Sequence, residues 1–153
     1  MPFDMPDSLM MRCRFGLELW IAARLLPFRV RNRAFAEVLA LAPVGGPAPY
    51  AGLPLPYITR RVLRVVRHPW FMKDRRCLRE GLLGFRFLSR AGFRPELRFA
   101  VDRGTIETDD IAAHCWVSVD DIPVISNTEP ELVTVYVHGS KELPVTPQNG
   151  GQE

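Results

Sequence analysis

Between Asp74 and Gly92 the chain reads as one helix, and that helix constrains most of what the rest can be. Leu78, Leu82, Phe85 and Leu88 recur at three- and four-residue spacing with Leu83 and Phe87 beside them. This predicts a helical body over Arg75–Arg90 with one broad apolar face. Asp74 is placed to cap its start, and Gly92 suits the left-handed position after its last turn. Gly81 and Gly84 each cost ~1 kcal/mol relative to alanine inside a helix. A repeat of about 3.6 aligns them with Cys77 and Leu88, predicting a groove below the cysteine into which another backbone packs closely.

Cys77 in the first turn sits at the positive end of the helix dipole, and Arg75 and Arg76 push the same way, toward thiolate. A free cysteine is also among the most often buried residues, so position alone leaves both roles open. A nucleophilic thiol needs a base, and His114 on a following strand is the candidate.

Upstream, Asp7 or Ser8 caps a first helix running to about Leu26, with Leu9, Phe15, Leu17, Trp20, Ile21 and Leu25 as its apolar positions and Pro27 as its stop. A second helix is expected over Asn32–Leu41. The Pro/Gly-punctuated stretch 42–56 is an ordered loop or a linker, and its length suggests that it covers something. Tyr57–Arg67 reads as a third helix with Ile58, Val62 and Val65 as its stripe and Arg60, Arg61, Arg64 and Arg67 around it, before His68-Pro69-Trp70 ends it. Downstream the pattern turns to strands: Leu97–Val101, Ala112–Val119, Ile122–Ser126 and Leu132–His138, with a polar loop over Asp102–Asp110 and a turn at Asp120-Asp121. Helices first and an antiparallel sheet last is an α+β arrangement, with a central cysteine-bearing helix packed on a small sheet. The chain reads as a single domain over 1–138 (helical region 8–42, loop 42–56, core 57–138) followed by a flexible tail over 139–153.

Charge is uneven although the net is only +3: residues 1–76 hold thirteen Lys/Arg against five Asp/Glu, and residues 77–153 hold seven against twelve. The arginines of the third helix fit a solvated basic face, and no nucleic-acid motif accompanies them. Three cysteines without regular spacing form neither a disulfide framework nor a zinc site, which implies no metal and a reducing cytoplasm. The acidic start is unlike a signal peptide, and the charges in the first helix leave no run of about 20 apolar residues for a membrane span.

Three segments together carry a resemblance: Arg76-Cys77-Leu78-Arg79-Glu80-Gly81-Leu82-Leu83, then Phe93 to Asp102, then Ala113-His114-Cys115-Trp116-Val117-Ser118-Val119-Asp120. They resemble the transglutaminase-like leader peptidases of lasso-peptide biosynthesis, equivalent to the C-terminal part of the microcin-processing protein. That family reads Cys-Leu and a leucine-rich helix, a Gly-(hydrophobic)-Pro-Ala turn into a strand, then Ala-His-Ala-Trp-Val-Glu-Val-Asp-Gly. Gly92-Phe93-Arg94-Pro95-Glu96 matches the turn, and the likeness covers roughly residues 57–137. It implies a papain/transglutaminase-like fold and a cofactor-free cysteine peptidase that cuts the leader from a ribosomal precursor peptide. A winged-helix-like recognition protein would deliver the leader, and a separate ATP-dependent, asparagine-synthetase-like cyclase would close the macrolactam.

The departure lies at the third catalytic position, where the family usually has an aspartate 12 residues after the histidine and this chain has Ser126. Asp120 lies roughly 20 Å along an extended strand from His114 at ~3.3 Å per residue, too far to orient it. A two-residue turn at Asp120-Asp121 pairs Val119 with Ile122 and His114 with Asn127; a three-residue turn makes His114 face Ser126. The expected site is therefore Cys77 as nucleophile, His114 as base, Asn127 orienting the ring with Ser126 as the alternative, and the Cys77 N–H in the oxyanion hole. The alternatives are a catalytically impaired peptide-binding scaffold and a cysteine-dependent acyltransferase.

Overall fold

In the computed structural model, which describes residues 5–68, 75–105, 113–126 and 132–139, the cysteine-bearing helix α4 spans Arg76–Ser89. Leu82, Leu83, Phe85, Phe87 and Leu88 on it are each at most 2% exposed. The helix starts one residue later than expected: Arg75 is its N-cap, with no side-chain bond to the first turn, and Asp74 lies outside the described residues. At the other end Gly92 adopts φ +85. Its N–H donates to Ser89 O, and that of Phe93 donates to Leu88 O. These paired bonds occupy carbonyls that a helix end otherwise leaves free.

The chain leaves that turn directly into β1 (Pro95–Asp102), followed by β2 (Ala113–Val119), β3 (Ile122–Ile125) and β4 (Leu132–His138). All pairings are antiparallel and the order is β3-β2-β1-β4. Helices first and sheet last is the expected α+β arrangement, with α4 lying on β2 and β1. The expected groove exists, but side chains rather than a backbone fill it. A methyl group at Gly81 would stand 2.7 Å from Leu97 Cδ1 and 3.2 Å from Cys115 Sγ, and one at Gly84 would overlap Ile125 Cδ1. The two glycines thus set how closely α4 approaches three strands at once.

The N-terminal helices depart from expectation. α1 runs Met5–Val30 with Pro27 inside it, so Asp7 and Ser8 lie within the helix and Pro27 does not stop it. A proline in a helix leaves the carbonyl four residues earlier without its N–H partner. Here that carbonyl belongs to Ala23 and receives Nη2 of Arg79 at 3.4 Å. Arg79, only 2% exposed, also donates Nη1 to His68 O at 2.7 Å. One guanidinium therefore ties α1 and the end of α3 to α4. The buried face of α1 is Phe15, Leu19, Ala23, Leu26 and Val30, whereas Leu9, Leu17, Trp20, Ile21 and Leu25 are exposed.

α2 is shorter than expected, Phe35–Leu39, because Asn32 takes the left-handed conformation at φ 56 and the Ala34 N–H is capped by Glu37 Oε2 at 3.1 Å. α3 spans Leu55–Val66, entering at Pro54 with Pro56 in its first turn, where the missing N–H costs nothing. Its buried stripe is Ile58, Val62 and Val66 rather than Val65, and Arg60, Arg64 and Arg67 are exposed. The Pro/Gly stretch does cover something. Tyr50 is fully buried, edge-on to Phe15 with centroids 5.2 Å apart, and its N–H donates to Arg90 O at 3.0 Å. Pro69-Trp70, residues 106–112 of the polar loop and residues 140–153 of the tail lie outside the described residues. Among the described residues no helix is long and apolar enough to cross a membrane.

Candidate active site

Cys77 occupies the second position of α4, where backbone N–H groups have no partner within the helix. It is half-buried, whereas Cys115 on β2 is 4% exposed. Strand β2 runs antiparallel to β1 with Phe99 opposite Cys115 and Ala100 opposite His114. Cys115 points under α4 into the space left by Gly81, and this brings its thiol to Cys77 one turn earlier. His114, next along the strand, is exposed.

The Cys77 thiol is pulled down to about 6, first by a hydrogen bond from the Cys115 side chain. Burial opposes this; the N–H groups of Cys115 and Leu78 and the charge of His114 reinforce it. Cys115 moves the other way, pushed well up by its bond to Cys77, by burial and by the negative charges of Cys77 and Glu80. The pair thus holds one proton on the buried sulfur and leaves the more accessible one as thiolate at neutral pH. The expected arginine contribution is not the cause: Arg76 donates its Nε to Glu80 Oε1 at 2.8 Å, which spends its charge on the next turn.

Beside the strand hairpin the geometry is more specific than any unbroken ladder. Asp120 and Asp121 have φ 51 and 62, a two-residue turn of the type whose twist suits a hairpin. Val119 pairs with Ile122 and Ser118 with Pro123, but Val117 pairs with Ile125. A bulge has absorbed one residue of β3, directly after Pro123, which cannot donate to the ladder. The pairing of His114 with Asn127 therefore does not follow from the turn, and Asn127 lies outside the described residues. The turn is not the three-residue form that would set Ser126 opposite His114. Ser126, at φ 63, donates its hydroxyl to Glu80 Oε2 at 2.7 Å.

Glu80 and Cys115 are the groups that sequence reasoning missed. Glu80 is 6% exposed and lies three residues after Cys77, on the face that faces the sheet; an acid at an apolar-face position was the available signal. For Cys115 the signal was its place beside His114 on a strand, in the register of Val117 and Val119.

Comparison with curated proteins gave no match, and comparison with solved structures gave none. A family model described as "Transglutaminase-like superfamily" matches residues 22–138, about three quarters of the chain. Proteins built on this domain are typically cysteine peptidases or acyltransferases. With its α+β frame of helices on a four-stranded antiparallel sheet, the chain belongs to the transglutaminase-like superfamily.

Proposed function

We propose that the protein is a cysteine peptidase that removes the leader from a lasso-peptide precursor. The observation that carries the reading is the Cys77 thiol: held at a helix start, lowered to about 6, with His114 close enough to contribute its charge. Cys77 attacks the scissile carbonyl as thiolate, forming the C–S bond as the carbonyl electrons move onto oxygen. The N–H of Cys77, in the first turn of α4, supplies part of the oxyanion hole. His114 protonates the departing amine, then takes a proton from the water that hydrolyses the thioester. We assign the orienting of His114 to Asn127, since the Ser126 hydroxyl is given to Glu80.

The lasso-peptide assignment rests on the combined motifs around Cys77, Gly92–Glu96 and Ala113–Trp116, and with it come the partners: the precursor, a winged-helix-like recognition protein and the ATP-dependent cyclase. Cys13, Cys77 and Cys115 are all free thiols, which agrees with work in a reducing cytoplasm. With precursor and recognition protein supplied, the parent chain releases the leader and Cys77→Ala releases none; undiminished cleavage by Cys77→Ala would sink the reading. Transfer of the precursor acyl group to an added amine, seen by mass spectrometry in place of hydrolysis, would move the protein to the acyltransferases.

A further inference from the structure

We propose that Cys115 is a second working thiol of this site: its S–H donates to the sulfur of Cys77 and keeps that sulfur ready to attack. The inference goes beyond the peptidase reading, which uses only Cys77, His114 and a ring-orienting group.

Two placements converge on it. Cys115 is buried on the face of β2 that meets α4. Gly81, one turn beyond Cys77, is the residue whose missing side chain makes room, since a methyl there would lie 3.2 Å from Cys115 Sγ. In line with this, the Cys115 side chain is the first cause of the lowered Cys77 thiol, and the Cys115 backbone N–H a further one. A sulfur anion in a half-dry site is poorly solvated, and a neighbouring donor that cannot leave replaces the lost water. The charged groups that face the pair among the described residues explain which sulfur keeps the proton. His114 on β2 favours negative charge on Cys77. Glu80 on α4, with Arg76 bound to its other oxygen, disfavours negative charge on Cys115. The two sulfurs therefore titrate as a unit holding one proton across the neutral range, as two carboxyls in contact do.

The test uses the full chain with Cys13→Ser, which leaves Cys77 and Cys115 as its only thiols. The rate of alkylation of Cys77 by iodoacetamide is followed against pH, with the site read by peptide mass spectrometry. The parent should be half-maximal near pH 6. Cys115→Ala should move the midpoint up by about one unit or more, so that labelling at pH 6 falls several-fold, and Cys115→Ser, which keeps a donor, should restore most of it. An unmoved midpoint in Cys115→Ala overturns the proposal. Circular dichroism checks that each variant is folded.

A second measurement does not depend on any variant. Diamide takes two hydrogens from the pair, its N=N bond becoming a hydrazine as the S–S bond forms. Sulfurs in contact should yield a Cys77–Cys115 cross-linked peptide within minutes, and folded protein that gives none contradicts the contact. Leader cleavage measured in parallel keeps the two readings apart. A shifted midpoint without cleavage by any form defeats the peptidase assignment alone, whereas cleavage by the parent with an unmoved midpoint defeats the role of Cys115 alone.

Discussion

The hydroxyl of Ser126 donates to Glu80 across 2.7 Å, joining residues 46 apart in sequence. It fastens the end of β3 to α4 less than a full turn beyond the Cys77 thiol. The carboxylate is held on its other oxygen by Arg76, so the buried Glu80 stands between an exposed arginine and a half-buried serine.

Removing the acceptor should cost more than removing the donor. Glu80→Ala leaves the Ser126 hydroxyl unpaired in a part-buried place and frees the end of β3, at about 2–4 kcal/mol. Ser126→Ala removes one charge-assisted bond, at ~1–2 kcal/mol. Urea unfolding of both variants and of the double variant checks the order, and the double should cost less than the sum because the two share one bond.

At Gly84 helix propensity and packing pull in opposite directions, and packing should win. Alanine gains ~1 kcal/mol of propensity but overlaps Ile125 Cδ1, so Gly84→Ala is expected to destabilise by about 1–3 kcal/mol. Ile125→Val deletes the overlapping methyl. The pair Gly84→Ala/Ile125→Val should therefore be more stable than the two single effects predict when measured by chemical denaturation.

The lowered thiol of Cys77 makes stability depend on pH in a stated direction. Its folded value is about 6, below the ~8.5 of an unfolded thiol. The contribution is fully present above the unfolded value and is lost as pH falls through the folded one. Between pH 6 and 8.5 the parent should gain stability with rising pH, and Cys77→Ala should lose that part of the slope. Equal slopes for the two proteins would show that Cys77 is an ordinary thiol.

Arg79 should matter for stability through the carbonyl it serves. Arg79→Met strands Ala23 O and His68 O, at roughly 1–3 kcal/mol. In a Pro27→Ala background the helix regains an N–H for Ala23 O, so the same substitution should cost less by about 0.5–1 kcal/mol. A double-mutant cycle by thermal and urea unfolding measures that coupling.

Much of this frame was legible before any coordinates. The apolar spacing from Leu78 to Leu88, the Gly81/Gly84 line, Gly92 at its left-handed turn and the Asp120-Asp121 hairpin are local signals, and each was found where its neighbours in sequence put it. What escaped depends on partners far along the chain. Pro27 reads as a stop because its lost hydrogen bond is visible locally, while the guanidinium that repairs the loss comes from α4. The bulge opposite Val117 and Ser118 shifts β3 by one residue, and a period-two pattern does not record such a shift. Cys115 and Glu80 belong to the site only because α4 crosses the sheet at a height set by two glycines.

The bond from Arg79 to Ala23 has an order in time as well as in space. During synthesis the Ala23 carbonyl emerges first, and the guanidinium that seats on it follows 56 residues later. The carbonyl on α1 therefore waits for its donor until the helix that carries Cys77 has been made. A fragment that begins at α3 would keep His68 O for that guanidinium but take away its acceptor on α1.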